Sequence, residues 1–221
     1  MQIKKKLSKF FKKSFPKKTR AIAIDIFIVF VSAFLIHTFV INTSIVYGES
    51  MCDTLNLYKN ICQKDVKDFL IINKFMYYFS EPKRGDIIVF KKDGIKEQYL
   101  IKRIIGLPED TVIIKNGSIF IKNEKYPYGM LLDESSYLQG NKLKSTRSLI
   151  EGLNEFKVPE DSYLVLGDNR INSNDSRNFF GGENIETVSE FVFQNEIVGK
   201  SWFIIWPLDN IKYIKFPSYN I

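Results

Sequence analysis

From Ala21 to Ile41 the chain reads AIAIDIFIVFVSAFLIHTFVI, 21 positions in which only Asp25, Ser32, His37 and Thr38 are polar. At about 1.5 Å per residue such a helix reaches roughly 31 Å, the thickness of a bilayer's hydrocarbon core. Residues 21–41 are therefore predicted to form one transmembrane helix. A cleaved secretory signal would have a shorter apolar region and a small-x-small site behind it, and the NTSIVYGES that follows offers no clear site. The reading is an uncleaved anchor, with the core helix of a soluble protein as the alternative. Asp25 and His37 lie near the ends of the run, where side chains reach the interface, so they are not read as a proton relay.

Beyond residue 42 the pattern changes to short β-branched and aromatic runs broken by turn residues, such as DIIVFKK, QYLIKRIIG, SYLVLGDN and KSWFIIWP. In TVIIKNGSIFIKN the Asn116-Gly117 pair stands between two alternating segments, a strong hairpin signal. No amphipathic helix of a dozen residues is predicted there. The expectation for residues 42–221 is a mainly β domain of antiparallel folded sheets or a partial barrel, with a less regular accessory insertion around 115–160.

Charge sharpens this division. The chain carries 32 Lys and Arg against 25 Asp and Glu, a net +7, and residues 1–20 alone hold eight Lys and one Arg with no acid. The rest is close to neutral. A nucleic-acid module would carry its positive charge on a folded face, so no nucleic-acid partner is expected. Placed just before the span, the basic arm predicts a cytoplasmic N-terminus and a body on the outer side of the cytoplasmic membrane, with the phospholipid as one partner.

The single histidine, His37, lies inside the apolar run, and the only cysteines are Cys52 and Cys62. These counts exclude Ser/His/Asp and Cys/His catalysis and leave too few ligands for an ordinary zinc site. A serine nucleophile in residues 42–221 must then find another base. In the run LIKRII, alternation sends Leu100, Lys102 and Ile104 to one face and Ile101, Arg103 and Ile105 to the other, so one cation shares whichever face is buried. At a pKa of about 10.4 only ~0.04% of lysine is neutral at pH 7; lowering the pKa to ~8 by burial raises this to ~10%. A Ser/Lys dyad is inferred, with Ser50 as nucleophile and Lys102 as general base.

Taken together, four segments resemble bacterial type I signal peptidases: Ser-Met-x-x-Thr-Leu at 50–55, Arg-Gly-Asp-Ile-Ile-Val-Phe at 84–90, Lys-Arg-x-x-Gly-x-Pro-x-Asp at 102–110, and Gly-Asp-Asn-Arg-x-x-Ser-x-Asp-Ser-Arg at 167–177. The last is highly specific, and the likeness spans roughly residues 22–206. It implies a membrane-bound serine endopeptidase that removes signal peptides from precursor proteins, with no cofactor and no metal. By the same likeness Ser173 orients Lys102, the Ser50 backbone N–H serves the oxyanion, and Asp175 pairs with Arg177 to brace the loop, as Asp168 and Arg170 also do. Shallow apolar pockets would read small residues at the first and third positions before the cut, with Met51, Leu100 and Ile101 as candidate walls.

This chain departs from the family pattern at several places. Gly48 stands where some members have an oxyanion hydroxyl, Asp53 replaces a usual proline, and Asp53 is expected to point away from Lys102. Cys52 and Cys62 either bridge a short loop or remain two buried thiols. Ser50 lies only nine positions after Ile41, at most roughly 30 Å of extended chain, so the nucleophile is expected near the bilayer. The alternatives are a relative dedicated to one substrate and an inactive membrane-tethered binding domain.

Overall fold

In a computed structural model, the described residues are 17–58, 61–62, 67–92, 94–95, 99–181 and 188–219. The first sixteen residues of the basic arm lie outside them. The chain divides into two compact units, residues 1–41 and 42–221.

In the first unit, helix α1 (Lys17–Leu35) continues into a π-type turn at Ile36–Val40 and stops where Ile41 turns extended. Its described part takes in the four residues before the apolar run, where Lys and Arg are good helix formers. Phe27, Phe30 and Phe34 remain exposed. A helix apolar on all sides with no protein core of its own suits hydrocarbon, and Lys18–Val40 is long and apolar enough to cross a membrane.

The strands are β1 (Ile41–Ile45), β2 (Leu57–Tyr58), β3 (Ile61–Cys62), β4 (Phe69–Asn73), β5 (Ile87–Lys91), β6 (Tyr99–Gly106) and β7 (Thr111–Lys115). They continue as β8 (Ser118–Lys122), β9 (Met130–Leu131), β10 (Glu155–Lys157), β11 (Ser162–Leu166), β12 (Val192–Phe193), β13 (Ile197–Trp206) and β14 (Lys212–Tyr213). One sheet has the order β1-β4-β13-β5-β6-β11-β12, with β14 added to β13; a second runs β10-β7-β8-β9, and β2 pairs β3. Every pairing whose register is resolved is antiparallel. Among the described residues the helical pieces after residue 41 are short 3-10 turns. The accessory region is more regular than its sequence suggests at its two ends, where β8 and β10 flank β7.

The hairpin β7–β8 turns at Asn116 (φ 51°) and Gly117 (φ 81°), both left-handed, as a two-residue turn that follows strand twist requires. A side chain at Gly117 would strike the Lys144 carbonyl 2.1 Å away, so glycine also lets the accessory segment lie against the turn.

Strand β6 is covered on both sides. Ile105 packs with Val112, Ile119, Ile121, Phe156 and Leu164 on one side. Ile104 packs with Ile88, Phe90, Tyr163 and Val165 on the other. Period-two alternation across a strand covered on both faces therefore buries both cations of the Lys-Arg dipeptide, not one. A third cluster, Val46, Met51, Leu55, Leu70, Ile87 and Ile204, anchors the loop that follows β1.

Candidate active site

That loop presents Ser50. Met51 is 1% exposed and acts as its anchor, and the N–H groups of Thr54 and Leu55 both donate to the Met51 carbonyl, at 3.1 and 2.9 Å. The Ser50 carbonyl accepts from the Asn169 N–H at 2.9 Å, tying the loop to the segment after β11. The Asn56 amide donates to the carbonyls of Val46 (3.3 Å) and Gly48 (3.0 Å), which fixes the approach from β1. A Cys52–Cys62 disulfide closes the loop from behind, resolving the alternative between bridge and buried thiols.

Lys102 reaches Ser50 from the middle of β6: its Nζ lies 2.8 Å from Ser50 Oγ and 2.9 Å from its neighbour's carbonyl, Ile101 O. The residue is 3% exposed. Burial lowers its pKa to about 8, and the charges of Asp175 and Asp168 only partly oppose that. Roughly a tenth of the amines are then neutral at pH 7, each with a lone pair available to accept the hydroxyl proton.

Around the dyad stands a lattice of buried ion pairs. Arg103 grips Asp168 with two parallel bonds, Nε to Oδ1 at 2.8 Å and Nη2 to Oδ2 at 2.7 Å, while Thr54 Oγ1 donates to Asp168 Oδ2 at 2.5 Å. This forked geometry joins the nucleophile loop, β6 and the Gly-Asp-Asn-Arg segment. Arg177 holds Asp175 in the same bidentate way, at 2.8 Å for each bond. Burial alone would raise the Asp175 carboxyl; the Arg177 hydrogen bonds and charge, with the Gly167 N–H, outweigh it and keep it below the ordinary carboxylate range.

The sequence-predicted residues are distributed as follows. Ser50 and Lys102 meet. Leu100 and Ile101 line a groove with them, whereas Met51 is absent from its lining and sits in the core. Asp168 and Arg170 brace the loop with partners other than each other: Arg103 for the first, and Glu134 together with Thr146 for the second. Ser173 is buried near Asp175, but its Oγ has no hydrogen bond of good geometry, and the partners of the Lys102 amine are Ser50 and Ile101. A side chain at Gly167 would fall 2.2 Å from Ser173 Oγ and 2.4 Å from the Ser50 carbonyl, so the two serines crowd one bare stretch of backbone. Asp53 points away from the amine and pairs with Lys142 of the accessory region.

Sequence reasoning missed Arg103 as the partner of Asp168, and missed Glu134, Thr146 and Tyr137, whose ring lies 4.0 Å from the Arg103 guanidinium carbon. A buried arginine next to Lys102 was legible from alternation, but nothing in the polar, aperiodic segment marks Glu134. Among the described residues no cluster of His, Cys, Asp and Glu could hold a metal ion.

Two cavities meet at the dyad. One, about 610 Å³, is walled by β1 from Thr43 to Ile45 and by β6 from Tyr99 to Lys102. The other, about 620 Å³, shares Tyr47, Ser50, Leu100 and Lys102 with the first and adds Glu49, Lys67, Asn172 and Asn174 along with the apolar Ile95 and Phe180.

Comparison with known proteins gives a consistent result. Residues 19–206 match the family model described as signal peptidase, peptidase S26. The chain is 36% identical over 193 residues to signal peptidase I P of Bacillus subtilis subsp. natto, covering 86% of this chain and 90% of that protein. It is 33% identical over 205 residues to signal peptidase I S of Bacillus subtilis (strain 168), covering 91% and 94%. A crystal structure of a signal peptidase I from Enterococcus faecalis V583 shares 29% identity, covers 55% of this chain and 97% of that one, and superposes with a TM-score of 0.39.

Proposed function

The chain belongs to the signal peptidases of peptidase family S26, and from that premise we propose that Ser50 is the nucleophile and Lys102 the general base with which it cuts signal peptides from precursor proteins. It is a serine endopeptidase with an apolar N-terminal helix that fits membrane anchoring. The observation that carries the residue assignment is the 2.8 Å contact between the Ser50 hydroxyl and a buried amine whose pKa is lowered to about 8.

The geometry supports a two-step acyl transfer. Ser50 Oγ attacks the scissile carbonyl as Lys102 Nζ takes its proton, and the resulting oxyanion is met by the Ser50 backbone N–H. The ammonium then gives its proton to the departing amine, leaving the signal peptide as an ester on Ser50. Water, deprotonated by the neutral amine, hydrolyses the ester and restores the dyad. Ile101 O holds the amine from behind at 2.9 Å, and a positioning role for Ser173, buried in the adjoining loop, comes from the family resemblance and not from a contact with the amine.

Substrate binding follows from strand edges. The resolved register pairs β11 with β6 only from Arg103 to Gly106, and β1 follows β4 as the end strand of its sheet. An extended peptide lying in the groove can add to these edges through its backbone, with alternate side chains directed at Leu100 and Ile101. The basic arm orients the helix with its N-terminus in the cytoplasm and places residues 42–221 across the cytoplasmic membrane.

The test is cleavage of a precursor with a small-x-small site by the full chain in detergent and phospholipid. Ser50→Ala and Lys102→Ala should each abolish cutting while circular dichroism stays native. Full activity in either variant would refute the assignment.

A further inference from the structure

Past β14 the chain stays on the body of the domain. The Ile214 N–H donates to the Trp202 carbonyl at 3.0 Å, and its side chain is buried in the cluster that anchors the nucleophile loop. Phe216 packs on the same cluster and carries the Lys200 ammonium over its ring, 3.7 Å from the centroid. Pro217 and Tyr219 then lie against the backbone of Gly85, where a side chain would fall 2.6 Å from Pro217 Cγ and 2.9 Å from Tyr219 Cε2. Gly85 is the glycine of the Arg-Gly-Asp block, and its carbonyl accepts from Arg103 Nη1 at 2.8 Å. Residues 214–219 thus form a strap laid against the backbone that holds Arg103.

Tyr219 ties this strap to the second arginine brace as well. Its hydroxyl donates to Tyr137 Oη at 2.9 Å, and Tyr137 Oη donates to Glu134 Oε1 at 2.6 Å. Burial pushes both phenols above their ordinary range, so each keeps the proton its bond needs. Glu134 grips Arg170, and the Tyr137 ring lies 4.0 Å from the Arg103 guanidinium carbon. The two braces act on either side of Asn169: Arg103 holds Asp168, and Arg170 is the residue that follows. Between them the Asn169 N–H donates to the Ser50 carbonyl at 2.9 Å. We propose that Tyr219 is a positioning residue for the nucleophile: through Gly85 and Tyr137 it steadies both braces, and with them the backbone bond that fixes Ser50 beside Lys102. The inference rests on the function proposed above. Tyr219 acts on where Ser50 sits and not on the proton transfer itself, and a misplacement of about 1 Å can cost on the order of a hundredfold in rate.

The experiment measures kcat and KM separately on one precursor with a small-x-small site, using the full chain in phospholipid and detergent at a temperature where circular dichroism shows each variant folded. Tyr219→Phe keeps the ring on Gly85 and loses only the hydroxyl link, so it should lower kcat about threefold, the scale of one neutral hydrogen bond. Tyr219→Ala removes both contacts and should lower kcat about tenfold or more. KM should stay within about twofold in both, because the groove that binds the substrate is untouched. The double variant Tyr137→Phe with Tyr219→Phe should be no slower than Tyr137→Phe alone, since a single chain of bonds is broken once. An unchanged kcat in either Tyr219 variant, a loss carried by KM, or single losses that multiply in the double variant overturns the positioning role and leaves the peptidase assignment intact. If Tyr219→Ala does not fold, Tyr219→Phe and the double variant decide by the same criteria. Failure of the wild type to cut, or cutting by Ser50→Ala, instead overturns that assignment and takes the positioning role with it.

Discussion

Lys102 and Arg103 are consecutive on β6, are 3% and 0% exposed, and are handled in opposite ways. On one face the lysine meets a hydroxyl and a carbonyl, which accept hydrogen bonds without cancelling its charge, and its pKa is lowered to about 8. On the other face the arginine meets the carboxylate of Asp168 in a forked pair and stays charged. Burial is common to both; the partner decides the charge state. A compact amine holds its proton less tightly when stripped of water, so that a usable fraction is neutral near pH 7, whereas a guanidinium keeps it and serves as a brace. The same strand thus supplies a base and, one residue on, the brace that fixes the nucleophile loop around that base.

The comparison is broken most drastically at Lys102. Lys102→Met should lower kcat/KM by about 10³- to 10⁴-fold, and Lys102→Arg should be no better, because a guanidinium cannot take the proton. Stability should move the other way. The native amine binds its proton less tightly than the unfolded one, with a pKa of about 8 against 10.5. Its cost is therefore fully present below the native pKa and relieved as pH rises toward the unfolded value. At neutral pH it amounts to about 3 kcal/mol. Urea titrations of the wild type should show stability gained across that window, and Lys102→Met should lack the gain.

Arg103→Met is the complementary test. It leaves Asp168 buried without its partner and should cost about 3–5 kcal/mol, read as a fall in melting temperature. Replacing both cysteines by serine should cost roughly 2–3 kcal/mol through the short loop the bridge closes, with a smaller effect on activity than on stability. The smallest change is expected at Asp53→Asn. Its partner Lys142 has a side chain 42% exposed, and a pair so open to water contributes at most about 1 kcal/mol in a thermal melt.

Much of this arrangement was legible in the sequence because it is local. The apolar run of α1 and the Asn116-Gly117 turn are written in consecutive residues, and the dyad follows from a missing histidine and a lysine inside an apolar strand. The braces were not legible in the same way. Arg103 finds Asp168 across 65 positions and Arg170 finds Glu134 across 36, pairings that depend on how sheets fold over one another and leave no periodic trace. Met51 was read as a pocket wall from the family resemblance; the tight turn after Ser50 sends it into the core instead. The second cavity passed unseen because its walls come from four separate stretches of chain.

The most direct test of the central claim is the pH dependence of kcat/KM on one precursor. A buried lysine that acts in its neutral form as base predicts a rate that climbs about tenfold per pH unit and levels off around an apparent pKa of about 8. A limb that keeps rising to the 10.5 of a hydrated lysine would contradict it.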